Sequence, residues 1–559
     1  QTLNNLAQTQ LALNNTSAAF PLLRRLITAQ VRFIQREVPA MPRQQREQLI
    51  ATLLDNHLLP FSFATASASG AELALFSRLN RQGLLQEIEQ RQAQLASLPG
   101  AQQPLLSQLR SLTARLSDIQ LSPAQRQQLQ QQRDALERQL YQLLPNLSPR
   151  VVDISQVAAQ LPARSALLEF QRFSPYDPTK PPGQRDAPPR YLALLLKPDR
   201  SITAIDLGPA QALEANLRRA ITASEQMLAD ADTLWASLST QLLTPLAPAL
   251  QGLDTLWISP DAELNRLPFA ALTTPGTNTL LSDSLNLRLL TTGRELLDLA
   301  APSRTSRNKP LVVVNPAFDL SQTTTAAPSS NSSRSPSPQL RSADLDQLRW
   351  APLPGTQKEG EAIAQLTDAV LLAQQQASAA AVQQSPAAPL LHIASHGFFL
   401  PDQSQPNNNN KLDNPMLRSG IALAGANQAS QRPSGSDDGY LTALEVAQLD
   451  WRGTELVVIS ACESGLGSLR AGEGVYGLKR AIAVSGARSS LLSLWKVDDT
   501  ATAAFMQSFY QRLKNQEGRA EALARTQAEF RSHPIAAWRH PSVWAAFQLS
   551  GDWRPIPNL

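Results

Sequence analysis

Two side chains of this sequence could form a catalytic pair. His396 follows the apolar run "PLLHIAS", and Cys462, the single cysteine of the chain, follows the apolar run "TELVVISA". An imidazole beside a thiol can accept its proton and generate the thiolate, the nucleophilic form of cysteine. Glycine and small residues around both groups would let backbone N–H groups, those of Gly397 and Cys462, stabilise an oxyanion. The chemistry that this pattern supports is nucleophilic attack on a carbonyl carbon.

The local residues also allow a purely structural interpretation. Free cysteine is among the most frequently buried residue types, and His-Gly is an ordinary loop dipeptide. A second histidine, His392, lies inside the same apolar run. Because its neighbours are apolar on both sides, we expect His392 to be a hydrogen-bonded core residue rather than a catalytic one.

The elements that would position the pair are two short strands. In an open parallel α/β sheet, ligands bind beyond the carboxyl ends of the strands, so adjacent strands ending at His396 and Cys462 would bring the two side chains together. Strand-like apolar runs alternate with helical segments from Val151 to the end of the chain. This alternation predicts an α/β fold with a mostly parallel sheet flanked by helices.

Four segments follow from the changes in composition. Residues 1–147 carry apolar residues three and four positions apart among Gln and Arg, which predicts an all-helical, possibly repeat-derived module. Residues 148–320 and 349–559 are predicted to be two α/β halves. Between them, residues 321–348 are rich in Ser, Thr and Pro and are predicted to be a flexible linker.

Charge and hydropathy narrow the class of partner. The 559 residues include 50 basic and 46 acidic side chains without a long basic run, so the sequence does not indicate nucleic-acid binding. Its apolar runs are shorter than the roughly 18 residues that a membrane span requires. One cysteine excludes an internal disulfide, and we expect a soluble, cytoplasmic protein. Because the chain begins at Gln1, we expect an original N-terminal segment, with any targeting signal, to precede it.

A glycine motif raises the possibility of a nucleotide site. The stretch "GEGVYG" at 472–477 fits G-x-G-x-x-G, and Asp498 follows at near the spacing of a dinucleotide fingerprint. That site requires the glycines to turn directly out of a strand into a helix. Ten residues separate Ala461, where the preceding strand is predicted to end, from Gly472. The gap favours a packing role for the glycines.

Several ordered motifs carry a family resemblance. The stretches "LHIASHG", "YLTALEVAQLDWRGTELVVISACESGLG", "GEGVYGLKRAIAVSGARSSLLSLWKVDD" and "HPSVWAAFQLSGDW" resemble the CHAT domain, a caspase-like, separase-related cysteine peptidase module often linked to tetratricopeptide repeats. Further motifs, including "LWISPDAELNRLPFAAL", extend the resemblance from about Val151 to Trp553.

The resemblance implies a fold, an activity and two catalytic residues. It implies a caspase-like fold whose inactive-looking half, 148–320, precedes an active half, 349–559. The activity implied is that of a cysteine endopeptidase, with Cys462 as nucleophile and His396 as general base and acid. Such an enzyme requires no metal and no cofactor.

Partners and specificity follow less directly from the resemblance. The partners expected are a peptide or protein substrate and a regulatory protein bound by the helical module. The family's other possible role is that of a catalytically silent signalling scaffold. "SACESG" matches the caspase cysteine motif only in part, and 66 residues separate His396 from Cys462 against roughly 50 in caspases. A preference for aspartate is therefore not implied.

Three carboxylates are candidates for substrate binding. Separase-like enzymes have a run similar to "LWKVDD" near the pocket for the residue before the cut, so Asp498 or Asp499 would pair with a basic side chain there. Either aspartate could instead cap the helix that follows. Glu445, in "LTALEV", is a further pocket candidate, and the other interpretation is that it is a solvated helix residue.

Overall fold

Helices form the first part of the chain in the computed structural model. Residues described by the structure are 2–41, 43–54, 58–117, 121–145, 147–181, 183–277, 279–302, 305–320, 348–400, 414–433, 436–461, 467–470, 474–557 and 559. The helices of the predicted helical module are α1 (Thr2–Ala12), α2 (Thr16–Glu37), α3 (Arg43–Leu54), α4 (Ala68–Arg81), α5 (Leu84–Ala96), α6 (Gln103–Ser117) and α7 (Pro123–Leu143).

The apolar spacing explains how these helices pack. Helix α2 buries Phe20, Leu23, Ile27 and Val31, which recur three and four residues apart on one face. Start signals are also present, because Ser122 forms a capping box with Gln125 at the beginning of α7. No helix within the described part of the chain is long and apolar enough to cross a membrane.

Strands and helices alternate in the rest of the chain. The strands are β1 (Ser165–Phe173), β2 (Arg190–Leu196), β3 (Ile202–Pro209), β4 (Thr255–Ser259), β5 (Asn286–Leu289), β6 (Leu311–Pro316), β7 (Val370–Gln374), β8 (Leu390–Ala394), β9 (His396–Phe399), β10 (Ser419–Ala422), β11 (Tyr440–Thr442), β12 (Leu456–Ser460), β13 (Gly467–Arg470), β14 (Gly474–Gly477), β15 (Ser489–Ser493) and β16 (Phe547–Gly551).

The remaining helices connect these strands. They are α8 (Ile154–Ala158), α9 (Ala210–Glu225), α10 (Ala231–Leu243), α11 (Ala247–Leu250), α12 (Leu281–Ser284), α13 (Glu295–Leu299), α14 (Pro354–Thr367), α15 (Ala379–Gln384), α16 (Ala443–Val446), α17 (Leu478–Val484), α18 (Asp499–Lys514), α19 (Arg519–Arg531) and α20 (Pro541–Trp544).

One mostly parallel sheet runs through both predicted halves. Its strand order is β3-β2-β1-β4-β5-β16-β15-β12-β8-β6-β7, and the antiparallel pairs are those of β2 with β1 and β3 and of β15 with β16. Helices cover its faces, so central strands such as β8 and β12 are buried along their whole length. The predicted fold class, an α/β sheet flanked by helices and preceded by a helical module, is confirmed.

The two halves meet in the middle of this sheet and divide it unevenly. β5 of the first half pairs in parallel with β16 at the end of the chain. β6 falls within the range 148–320 assigned to the first half, yet it pairs with β7 and β8 of the second half. Apolar runs show that a strand exists but not which neighbour it joins. The predicted linker 321–348 lies outside the described residues, apart from Leu348.

A buried arginine ties the helical module to the sheet. Arg78 of α4 donates from Nε to Glu169 Oε2 of β1 at 2.9 Å, and its Nη2 donates to Ser259 Oγ at 3.1 Å and to Pro260 O at 3.0 Å. Both charged side chains are at most 1% exposed. Glu169 also accepts a hydrogen bond from Gly293 N. A buried charge pair with this many partners holds α4 in one position on the sheet.

Removing that arginine should destabilise the whole chain. Arg78→Ala leaves Glu169 buried without its counter-ion, a change that costs about 3–5 kcal/mol. We expect the melting temperature to fall by several degrees in a thermal denaturation experiment. Arg190→Ala is the matched control, because the Arg190–Asp206 pair is about one-third exposed and such pairs contribute about 1 kcal/mol or less. Equal melting temperatures for the two variants would contradict the role assigned to Arg78.

Candidate active site

The register of two neighbouring strands aligns the predicted catalytic pair. β8 and β12 are parallel, and Ala394 at the end of β8 pairs with Ser460 at the end of β12. Along the chain, His396 follows Ala394 by two residues, and Cys462 follows Ser460 by two residues. Cys462 itself lies outside the described residues, so the geometry of the site is that of His396 and its surroundings.

His396 lies against two aromatic rings. Its imidazole centroid is 5.3 Å from the ring centroid of Phe318 and 5.3 Å from that of Trp350. Its Nε2 is 2.9 Å from the carbonyl oxygen of Ala351. A carbonyl oxygen can only accept a hydrogen bond, so Nε2 must carry a proton. In the neutral ring, Nδ1 is then the nitrogen with a free lone pair.

The surroundings of His396 favour the neutral form. The pKa of His396 is lowered below its ordinary value of 6.5, and burial is the largest cause. The positive charge of Lys496 lowers the pKa further, whereas the hydrogen bond to Ala351 and the negative charge of Asp499 raise it. An imidazole that is neutral at physiological pH can take up a proton, which is what a general base must do.

A short segment after the predicted linker, containing Trp350 and Ala351, contacts His396 and is held in place by hydrogen bonds. Trp350 N donates to Asn427 Oδ1 at 2.8 Å, and Asn427 Nδ2 donates back to Trp350 O at 3.0 Å. The indole Nε1 of Trp350 donates to Tyr440 OH of β11 at 3.0 Å. Trp350, Ala351 and Asn427 were not predicted from the sequence to lie at the site. A lone tryptophan after a polar segment was the available signal, but its partners are far away in sequence.

Gly397, a predicted oxyanion donor, lies on the edge strand β9 of the small sheet β11-β10-β9. Leu400 N donates to Arg418 O, which makes this pair a hydrogen-bonded one. Because such pairs alternate in antiparallel strands, Gly397 and its partner Ile421 exchange no backbone hydrogen bonds. The N–H of Gly397 therefore points away from β10, towards the side of β9 that has no partner among the described strands. The other predicted donor, the N–H of Cys462, lies outside the described residues.

The second histidine belongs to the core, as the sequence indicated. His392 is fully buried, its Nδ1 is 3.0 Å from Tyr510 OH of α18, and its Nε2 is 3.2 Å from Glu359 Oε1 of α14. Burial, and the nearby Glu359, raise the pKa of Tyr510 well above its ordinary value. This group lies beneath the sheet and connects two flanking helices.

The two adjacent aspartates have different surroundings. Asp498 is the N-cap of α18, and its Oδ1 accepts hydrogen bonds from Thr500 N and Ala501 N, both at 3.0 Å. Asp499 is half-buried. Burial raises the pKa of Asp499, as does Asp498, while His396 acts in the opposite direction. The carboxylate of Asp499 therefore interacts electrostatically with His396.

Glu445 is buried rather than solvated. Its Oε2 accepts hydrogen bonds from Thr442 N at 2.8 Å and Thr442 Oγ1 at 2.7 Å in a capping box at the start of α16. Burial raises the pKa of Glu445 to about 7, and its hydrogen bonds to Thr442 oppose that shift. Its carboxylate is thus occupied in capping, and the solvent-exposed alternative is wrong because α16 packs inside the domain.

The glycine motif lies on a hairpin. Gly474 and Gly477 are the first and last residues of β14, which pairs only with β13 among the described strands, while Gly472 lies outside the described residues. A dinucleotide fingerprint needs its glycines between a core strand and a long helix. Here β14 is outside the main sheet, and α17, which follows it, has seven residues.

Comparisons with known proteins identify a family model and two relatives that this chain resembles. The CHAT domain family model matches residues 232–552. Tetratricopeptide repeat protein 28 of Homo sapiens is 28% identical over 310 residues, which cover 52% of this chain and 12% of that protein. The same protein of Mus musculus is 28% identical over 308 residues, with the same coverage. The chain therefore spans only a small part of the length of these relatives.

Solved structures give a more distant similarity. A chain in a crystal structure of the Saccharomyces cerevisiae separase–securin complex aligns with a TM-score of 0.40 at 8% identity, covering 95% of this chain and 40% of that one. A second structure of the complex gives a TM-score of 0.39 at 10% identity, with coverages of 96% and 37%.

The contact with the Trp350 ring should keep the pKa of His396 low. Because burial is the largest cause of its lowered pKa, Trp350→Ala should admit water and raise that pKa towards 6.5. An NMR titration of the histidine ring protons would measure it, with the His396 signal identified by its loss in His396→Gln.

Trp538→Ala is the matched control for this titration. Trp538 packs against another histidine, His533, at a centroid distance of 4.6 Å. We expect this variant to leave the pKa of His396 unchanged. A pKa of His396 that stays the same or falls in Trp350→Ala would contradict the assignment to burial.

Proposed function

This chain belongs to the CHAT domain family, and from that premise we propose that it is a cysteine endopeptidase whose nucleophile is Cys462 and whose general base is His396. The observation that carries the proposal is the hydrogen bond between His396 Nε2 and Ala351 O at 2.9 Å. This bond leaves Nδ1 as the basic nitrogen of a neutral imidazole. His396 also follows the end of β8, and β8 pairs with β12, the strand that precedes Cys462.

In the proposed reaction, His396 transfers protons and Cys462 carries the acyl group. Nδ1 takes the proton of the Cys462 thiol, and the thiolate attacks the carbonyl carbon of the peptide bond. The N–H groups of Gly397 and Cys462 stabilise the resulting oxyanion. The imidazolium then gives its proton to the leaving amine, the C–N bond breaks, and a thioester remains. Water, deprotonated by His396, hydrolyses the thioester and regenerates the thiol.

We further propose that Asp499 selects a basic side chain before the cut. Support comes from its half-buried carboxylate, its electrostatic interaction with His396 and the occupation of Asp498 by helix capping. A carboxylate in such a position pairs with Lys or Arg through charge-assisted hydrogen bonds. Glu445 remains a second candidate, although its carboxylate already accepts two hydrogen bonds from Thr442.

The helical module is proposed to receive a regulatory protein. Support comes from its contacts with α17, which follows the Cys462 segment in sequence, and with β11, which belongs to the same small sheet as the strand of His396. Arg480 of α17, the helix that follows the Cys462 segment, donates from Nη2 to Glu89 of α5 at 2.8 Å. Ser117 of α6 lies 3.2 Å from Thr442 Oγ1 at the end of β11. A partner that displaces these helices would act on the elements that carry the site.

Labelling and cleavage test the peptidase proposal directly. An electrophilic peptide probe should label the wild-type chain at Cys462 and should not label Cys462→Ala. In a cleavage assay with a peptide library, Cys462→Ala and His396→Ala should each lower the rate at least about 10³-fold. His533→Ala is the control, since His533 packs against Phe530 and Trp538 instead. Equal labelling of wild type and Cys462→Ala, or a folded chain that cleaves nothing, would favour the signalling-scaffold role instead.

The specificity proposal is tested with paired substitutions at adjacent positions. Asp499→Asn should lower kcat/KM for substrates with Arg or Lys before the cut by about 10- to 100-fold, the value of a charge-assisted hydrogen bond. Substrates with an apolar residue there should be unaffected. Asp498→Asn is the control, because asparagine caps a helix as well as aspartate does. An equal loss for basic and apolar substrates in Asp499→Asn would contradict a pocket role.

A further inference from the structure

A cavity lined by both polar and apolar side chains lies where the helical module meets the sheet domain. Its volume is about 610 Å³, within the range of small-molecule sites. One part of its wall comes from α3, α5, α6 and α7 of the helical module, and a second part comes from α13 and from the chain after α16 and after α17. The cavity is separate from the surroundings of His396.

Arginines outnumber carboxylates in the lining of this cavity. Among the described lining residues there are seven arginines and five carboxylates. Some carboxylates are shared: Glu137 lies 3.7 Å from Arg46 Nη2 and 3.5 Å from Arg133 Nη1. Glu87 forms an ion pair with Arg294, which lies behind the wall, and is 3.8 Å from Arg91 and 4.0 Å from Arg150. Arg488 is paired with Asp552, which also lies behind the wall, at 2.9 Å. The lining residues themselves include two more arginines than carboxylates.

Two of these arginines share one carboxylate, that of Glu137, at ion-pair distances longer than a hydrogen bond. Arg46 and Arg133 are 1% and 4% exposed, and neither Arg46 Nη2 nor Arg133 Nη1 makes a hydrogen bond to a described residue. Burying a charged donor without an acceptor costs free energy. An anion in the cavity would add acceptors for these two guanidinium groups beyond the single carboxylate of Glu137.

Arginines at the rim come from both walls. Arg110 of α6 is exposed and donates from Nε to Gln448 O, across the junction, at 3.2 Å. Arg452, on the opposite side, forms two hydrogen bonds with Asp450, at 2.7 and 2.6 Å. Both side chains line the cavity. An anion entering it would thus meet guanidinium groups from two parts of the chain.

We propose that this cavity binds a small, multiply charged phosphate compound that bridges the helical module and the second half. The planar guanidinium group of arginine matches the geometry of a phosphate and can donate two parallel hydrogen bonds to two of its oxygens. Several arginines converging from two walls favour a ligand with more than one negative charge. The same junction contains the Glu89–Arg480 pair of α5 and α17, so occupancy of the cavity would stabilise the contact between the two parts of the chain.

Calorimetric titration of the whole chain with sodium tripolyphosphate tests this proposal without reference to peptidase activity. We expect saturable one-to-one binding that weakens as the salt concentration rises. Arg110→Gln and Arg452→Gln, one from each wall, should each weaken binding about tenfold, since each removes a charge-assisted contact. Because Arg110 is exposed, its substitution should leave the melting temperature of the ligand-free chain unchanged.

Matched controls remove arginines that do not line the cavity. Arg115→Gln changes another exposed arginine of α6, and Arg190→Gln changes another partly exposed arginine that is paired with an aspartate. Both should bind tripolyphosphate like the wild type. The proposal is overturned if the wild type does not bind, or if Arg110→Gln binds as tightly as Arg115→Gln. Citrate binding more tightly than tripolyphosphate would overturn the assignment to phosphate.

Discussion

The parallel pairing of β8 with β12 is the constraint on which the rest of the site depends. Ala394 and Ser460 are partners at the ends of these strands, and a change of register by one residue would turn every side chain to the opposite face of the sheet. The register is well determined because both strands are buried between flanking helices and between β6 and β15. The apolar core thus determines where the chain leaves the sheet after each strand, and so where the histidine and cysteine segments begin.

The environment of His396 is assembled from parts of the chain that are distant in sequence. Phe318 follows β6, Trp350 and Ala351 follow the segment of the predicted linker, and Asn427 lies between β10 and β11. Together they bury one side of the imidazole and give it one acceptor. This combination selects both the protonation state and the tautomer, because burial disfavours the imidazolium and the carbonyl takes up the proton on Nε2.

The helical module is integrated with the sheet domain by charged contacts. Arg78 reaches Glu169 inside the structure, while Glu89 and Ser117 contact the elements that flank the proposed site. Charged pairs in the interior are sensitive to geometry, because each partner loses its hydration and must recover it from a few fixed groups. Such contacts make the position of α4, α5 and α6 relative to the sheet specific.

The sequence by itself determined the fold class, the helical start of the chain, the family and the core position of His392. These properties depend on local periodicity, on short motifs and on apolar surroundings, all of which are visible along the chain. Only the tertiary structure decided that β6 joins the second half, that Asp498 caps a helix while Asp499 is half-buried, and that Glu445 is buried. It also decided which carbonyl orients His396. These properties depend on contacts between residues that are far apart in sequence. A pattern read along the chain does not contain the spatial distances between such residues.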